Sequence, residues 1–249
     1  MRSVVKNVIF TFNLVASIAA QAISVGKVDF EKKSITGVEV ELASSKSNNV
    51  SVCGAHVGGL WSLTRNNVAG IQVGGLAALA EECSGIQMGG LGSACFNEMN
   101  GAQIGGWGSI CEKVNGIQIG LGSVCFNEMN GVQIGGLVSA CFNEMNGVQI
   151  GVFGPCCTNE VNGIQIGGIC CGAGKMRGVQ IAGLFSAGDK MSGLQIGAVN
   201  YIEKDFSGVQ IGVFNYAGEK SDNCLQIGVV NWLSANETMK IVPFVNFRF

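Results

Sequence analysis

Gly131-Val132-Gln133-Ile134-Gly135-Gly136-Leu137-Val138-Ser139-Ala140-Cys141-Phe142-Asn143-Glu144-Met145-Asn146 is followed at Gly147 by the same Gly-Val-Gln-Ile-Gly opening. Outward from this stretch the motif Gly-apolar-Gln-apolar-Gly recurs in both directions. Its anchors are Gly37, Gly54, Gly70, Gly85, Gly101, Gly116, Gly131, Gly147, Gly163, Gly178, Gly193, Gly208 and finally Cys224. Neighbouring anchors lie 15 to 17 residues apart, which makes thirteen units. The first two are degenerate, with Glu39 and His56 standing where later units carry Gln. Atypical terminal units are the usual mark of caps on a repeat array.

Within a unit the side chains alternate. Val132 and Ile134 point one way, Gln133 and Gly135 the other, the period-two pattern of a half-buried strand. A second apolar run, Leu137 to Phe142, leads to a turn of the Asn-Glu-Met-Asn type at Asn97–Asn100, Asn127–Asn130 and Asn143–Asn146. Asn suits the left-handed conformations of such turns.

Two architectures use a unit of this kind. In a parallel β-solenoid each unit is one coil, and like residues stack on like about 4.8 Å apart. In an antiparallel outer-membrane β-barrel each unit is one strand and its loop. Even spacing and identical residues at a fixed offset favour an all-β, parallel solenoid of about thirteen 15- to 16-residue coils. The barrel's argument is the C-terminus, Ile241 to Phe249, which places Ile241, Val245 and Phe247 on one strand face and ends in Phe. As a solenoid cap, the same strand would have its edge blunted by Pro243.

Stacking turns each repeated residue into a column. The Gln column comprises Gln72, Gln87, Gln103, Gln118, Gln133, Gln149, Gln165, Gln180, Gln195, Gln210 and Gln226, and side-chain amides piled this way can donate each to the next. Cys95, Cys111, Cys125, Cys141 and Cys157 form a second column, open to disulfides between coils or to free buried thiols behaving as small apolar residues. Cys156-Cys157 and Cys170-Cys171 lack the usual C-x-x-C spacing of a metal site. Glu98, Glu128, Glu144 and Glu160 recur beside Asn, and such an oxygen column could take up Ca²⁺, although solvated turn charges are the ordinary reading. Asn200-Tyr201, Asn215-Tyr216 and Asn231-Trp232 repeat at one offset, read as an Asn-lined bend whose aromatics cover the core edge.

Composition narrows the function. The 249 residues include 39 Gly and 2 Pro, 47% are hydrophobic and 13% charged. Such a chain is too apolar for disorder, and without a three-residue Gly period it is not collagen. A net charge of −2 with no basic cluster argues against nucleic acid as a partner. Arg2, Lys6, the apolar run Asn7 to Ala20 and Ala20-Gln21-Ala22 read as a secretory signal cleaved after Ala22. The expected organisation is a signal peptide at 1–22, an N-terminal cap with a degenerate first repeat at 23–53, the repeat array at 54–238 and a C-terminal strand or cap at 239–249.

For catalysis the inventory is thin. His56 is the only His, and no phosphate loop or metalloprotease signature is present. No cofactor is expected.

Gly208 to Ala217 (Gly-Val-Gln-Ile-Gly-Val-Phe-Asn-Tyr-Ala), Gly193 to Tyr201 and the closing Val-Pro-Phe-Val-Asn-Phe-Arg-Phe resemble the bacterial surface-repeat proteins of leptospiral type, with their G-x-Q-x-G-x-x-N core. The central units depart from it, carrying Cys-Phe-Asn-Glu-Met-Asn in place of the Asn-bearing stretch. The resemblance spans about Gly54 to Phe249 and implies an exported, surface-associated protein with no catalytic residues to carry over. The expectation is therefore a cell-surface or outer-membrane repeat protein, with the periplasm as the other location. Its role would be structural or adhesin-like, toward a macromolecular partner at the cell surface, and compatible with membrane association or self-association. The alternative is an outer-membrane β-barrel pore.

Overall fold

A computed structural model of the chain describes residues 22–29, 34–41, 44–47 and 51–249. Apart from Ala22, the expected signal segment lies outside the described residues. The architecture is all-β, a parallel β-solenoid of about 12 turns, in two compact units, Met1–Leu121 and Gly122–Phe249. The first unit holds β1 (Ala22–Asp29), β2 (Ser34–Glu41), β3 (Ser44–Ser47), β4 (Ser51–Gly58), β5 (Trp61–Gly74) and β6 (Ala77–Gly89). The residues of β7 (Gly92–Cys141) are divided between the two. The second unit continues with β8 (Glu144–Gly151), β9 (Gly154–Gly167), β10 (Cys170–Ala182), β11 (Phe185–Ile196), β12 (Val199–Ile211), β13 (Phe214–Ala217), β14 (Cys224–Leu233) and β15 (Ile241–Arg248).

Neighbouring turns pair parallel and in register. Gly70 meets Gly85 and Gln72 meets Gln87 in the first unit, and Gln149 meets Gln133 on one side and Gln165 on the other in the second. The barrel alternative falls on this point, because barrel neighbours run antiparallel. The antiparallel pairs among the described strands, β1 with β2 and β14 with β15, each lie at one end of the strand order. There they cover an outer turn, as a cap must.

Each turn is a flattened loop with a long strand, such as β8, facing a short one, such as Gly154 to Cys157. The anchor glycine has φ near +130° (128° at Gly147), and a Cβ there would lie 2.1 Å from the carbonyl oxygen of Gly131 one turn below. The final anchor, Cys224, avoids this geometry because Asn223 before it takes the left-handed conformation, at φ 48°. The second motif glycine makes the corner. A Cβ on Gly135 would sit 1.8 Å from the oxygen of Val138, where the long strand folds back onto the short one.

Asn-Glu-Met-Asn is not a turn. Glu144, Met145 and Asn146 are the first residues of β8, and Met145 stacks on Met129. Met99, Met129 and Met145 are fully buried, so the segment is ordinary strand alternation with Glu and Asn facing outward. The chain direction changes at Phe142-Asn143, so only the segment's first residue belongs to the bend.

The interior is mixed, with polar columns beside apolar ones. Gln72 through Gln226, Ser109, Ser123, Ser139 and Ser186 are all buried, alongside the Cys and Met columns. The Val and Ile flanking each Gln lie on the outer face, half-buried or exposed (Ile71 43%, Ile164 38%). The alternation visible in the sequence thus has its hydrophilic side inward.

Candidate functional site

The Gln column is a continuous chain of hydrogen bonds within each unit. In the first, Gln118 Nε2 donates to Gln103 Oε1, Gln103 to Gln87 and Gln87 to Gln72, each at 2.9 Å. In the second, Gln226 donates to Gln210, Gln210 to Gln195, and so on down to Gln133, at 2.7–3.0 Å. The second amide hydrogen goes to a main-chain carbonyl of the short strand, as from Gln149 to Cys156. Such an amide is satisfied without water, which is what permits its burial. In the last turns Asn200 donates to Asn215 and Asn215 to Asn231, both at 2.7 Å, in the opposite sense along the chain. The two unpartnered interior amide oxygens here, Gln226 Oε1 and Asn200 Oδ1, are the terminal acceptors of the two ladders.

The aromatics beside those Asn residues stack outside them. Tyr201 and Tyr216 rings are parallel at 4.8 Å, and Trp232 meets Tyr216 edge-on at 5.5 Å. They sit on the outer face of the turns, where Tyr216 also borders a shallow hollow with Lys190, Glu203 and Lys220.

His56 occupies the ladder slot below Gln72 and above Glu39. Its Nδ1 lies 3.1 Å from the Ser62 hydroxyl and 2.9 Å from the Thr64 hydroxyl, and its Nε2 lies 3.5 Å from Glu39 Oε2. It is fully buried, and burial pulls its pKa from 6.5 down to about 4. The ring is a ladder member that stays neutral, not a base open to substrate. Between pH 6.5 and 4 the unfolded chain binds a proton that the folded chain refuses. Stability from this group is therefore present above pH 6.5 and lost as the pH falls toward 4, by about 3 kcal/mol. His56→Gln is expected to lose less stability than the parent over that window in urea titrations at matched pH. Identical pH slopes would show that His56 is not held neutral.

The thiol column lies inside as well. Cys95, Cys111, Cys125, Cys141 and Cys157 are buried, and no disulfide joins any of the eleven cysteines, all of which are among the described residues. Burial pushes Cys83 and Cys171 up to about 12. A hydrogen bond with Cys141, with burial, holds the Cys157 proton far above the ordinary range. Hydrogen bonds from Cys125 and Cys157 pull Cys141 down to about 4, so the column's thiols do not all hold their protons alike, but burial encloses each of them away from a substrate. Cys156 and Cys170 are exposed while Cys157 and Cys171 point inward. Among the described residues no group of three or more His, Cys, Asp or Glu is arranged to hold a metal ion. The Glu column is engaged otherwise. Glu98 accepts from Asn115, Glu128 from Asn130, and Glu160 pairs with Arg177.

The outer surface has a segregation that the repeat analysis missed. From Arg65 to Asp222 every charged residue falls within the five positions before the next anchor: Glu128, Glu144 and Glu160 in one stretch, Lys175, Lys190 and Lys204 in the next. These line one corner of the turns, where Lys190 pairs with Asp205 and Lys204 with Asp189. A shallow trough of about 490 Å³ along this corner, bordered by Asn143, Glu144, Glu160 and Lys175, carries both signs of charge. The rest of each turn's exterior is charge-free and apolar. Leu137, Phe153 and Leu184 protrude at the opposite corner, and Phe126 and Phe142 stack at 5.5 Å at the far end of the short strand. The signal was available in the linear sequence, as a charge pattern with the repeat's own period.

No protein-family model, no curated protein and no solved structure matches the chain.

Proposed function

We propose that this chain is an exported, envelope-associated repeat protein that acts as a non-catalytic scaffold, its stacked outer faces being the working surface. One observation carries the reading: turn after turn presents the same uncharged apolar exterior, while from Arg65 to Asp222 ionic side chains are confined to one corner. Soluble monomers rarely leave large contiguous apolar areas uncovered, and such areas mark contact sites. The resemblance of Gly193–Tyr201 and Gly208–Ala217 to leptospiral-type surface repeats agrees with this, as does the signal-like segment ending at Ala22. Cleavage after Ala22 would retain Ile23–Asp29 of β1 for pairing with β2. The test is to express the full chain with its leader, sequence the mature N-terminus and fractionate the cells. A mature chain starting at Ile23 in the envelope fraction is expected. An unprocessed chain in the cytosol would overturn the reading.

A further inference from the structure

We infer that the partner of the apolar exterior is the hydrocarbon of a phospholipid bilayer, entered edge-on from one side with the charged corner left in the headgroup water. This deepens the scaffold reading and rests on it for the location of the chain.

The first argument is coverage. In the second unit apolar residues lie on the long strand's outer face (Ile164, Ile166), on the corner (Leu184, Val213) and on the short strand's outer face (Val138, Phe185). A second copy packed on one broad face would leave the other and the corner in water. A hydrocarbon phase covers all three.

The second argument is polarity. Hydrocarbon excludes any structure with unpaired backbone groups. Here the strands pair turn to turn, as Gly131 to Gly135 do with Gly147 to Gly151, and the interior amides bond to one another and to carbonyls. The ladder's amides are inside, where lipid does not reach. The ladder thus withdraws the Gln amides of every turn from the face that would be immersed.

The third argument is length. From the anchor glycine to the far corner the charge-free part of a turn runs four to five residues of extended chain, about 13–17 Å at the strand rise. One leaflet is half of a hydrocarbon core of about 30 Å, or ~15 Å. The charged positions begin where that depth ends, next to the Phe126–Phe142 stack. The far corner is the deepest point. In the first unit it carries Trp107, which is 73% exposed.

Trp107 makes the inference testable. In the full chain carrying Trp61→Phe and Trp232→Phe, Trp107 is the one remaining Trp. Its fluorescence is measured with phosphatidylcholine vesicles brominated at shallow or deep acyl positions. Deep bromines are expected to quench it at least twofold more than shallow ones. The triple variant Leu137→Asp, Val152→Asp, Leu184→Asp, checked for fold by far-UV circular dichroism, is expected to lose at least tenfold in vesicle partitioning. Glu144→Gln at the charged corner should partition like the parent. Stronger quenching from shallow bromines would overturn edge-on insertion. So would a lipid-independent dimer in sedimentation, abolished by the same triple variant, since the face would then belong to a second copy. A folded chain that ignores vesicles altogether would also overturn it. Location is read separately: an envelope-localised chain without quenching sinks this inference alone, and a cytosolic chain that still inserts sinks the scaffold reading alone.

Discussion

Gly147→Ala is expected to destabilise the second unit by more than about 4 kcal/mol and to split its unfolding into separate transitions. Two costs add. The φ of 128° lies where L side chains rarely go, at about 1–3 kcal/mol. The new Cβ would also lie 2.1 Å from the Gly131 oxygen, 3.0 Å from its carbonyl carbon and 3.2 Å from its Cα. All three are backbone atoms, so relief requires parting two turns that pair from Glu128–Glu144 to Gly135–Gly151. A solenoid's stability is approximately a sum over nearest-neighbour interfaces, so one broken interface leaves the turns on either side free to unfold separately. Gly172→Ala is the control. There a Cβ meets only the Cys156 sulfur, at 3.9 Å, and a change within about 0.5 kcal/mol is expected. Urea unfolding followed by circular dichroism distinguishes the two. A Gly147→Ala chain that melts like the parent would show that the anchor position is not constrained.

What could be read from the linear sequence was whatever the repeat makes translational. The register of Gln149 on Gln133 and Gln165 follows from the spacing alone. The sense of the alternation does not follow. Val132-Gln133-Ile134 is the same pattern whichever side is buried, and side-chain hydropathy taken one residue at a time points to the wrong face. Gln goes inside because stacking supplies each amide with a partner, a property of the column rather than of a residue. The Asn-Glu-Met-Asn segment misled for a related reason. Its polar residues suggest a turn, yet Met145 in their midst is fully buried and sets the strand. Asn223 taking over the left-handed position from an absent anchor glycine was beyond reach, since only the three-dimensional path shows where the turn must twist. The apolar exterior follows from the inverted alternation and was hidden with it.

Gln149→Leu tests the ladder that this inversion depends on, and a loss of about 3–5 kcal/mol is expected. Leu nearly conserves volume, so the change isolates hydrogen bonding. Gln149 donates to Gln133 Oε1 at 2.8 Å and to the oxygens of Ser139 and Cys156 at 3.2 Å, and it accepts from Gln165 at 2.8 Å. Some orphans keep a second partner: Gln133 Oε1 still accepts from Ser139 Oγ, and Gln165 still donates to Gly172 O. Those partners hold the loss below the roughly 1–3 kcal/mol per orphaned buried group that four broken bonds would otherwise imply. Gln226→Leu at the ladder's end should cost less. Its Oε1 already lacks a donor, and its donated bonds run to Gln210 and Trp232 O. The double variant Gln133→Leu, Gln149→Leu should lose less than the sum of its singles, because each single orphans a group that the other removes. If Gln149→Leu matched the parent in urea, the amides would be passengers in the interior. The outward placement of Val132 and Ile134 would then need another cause.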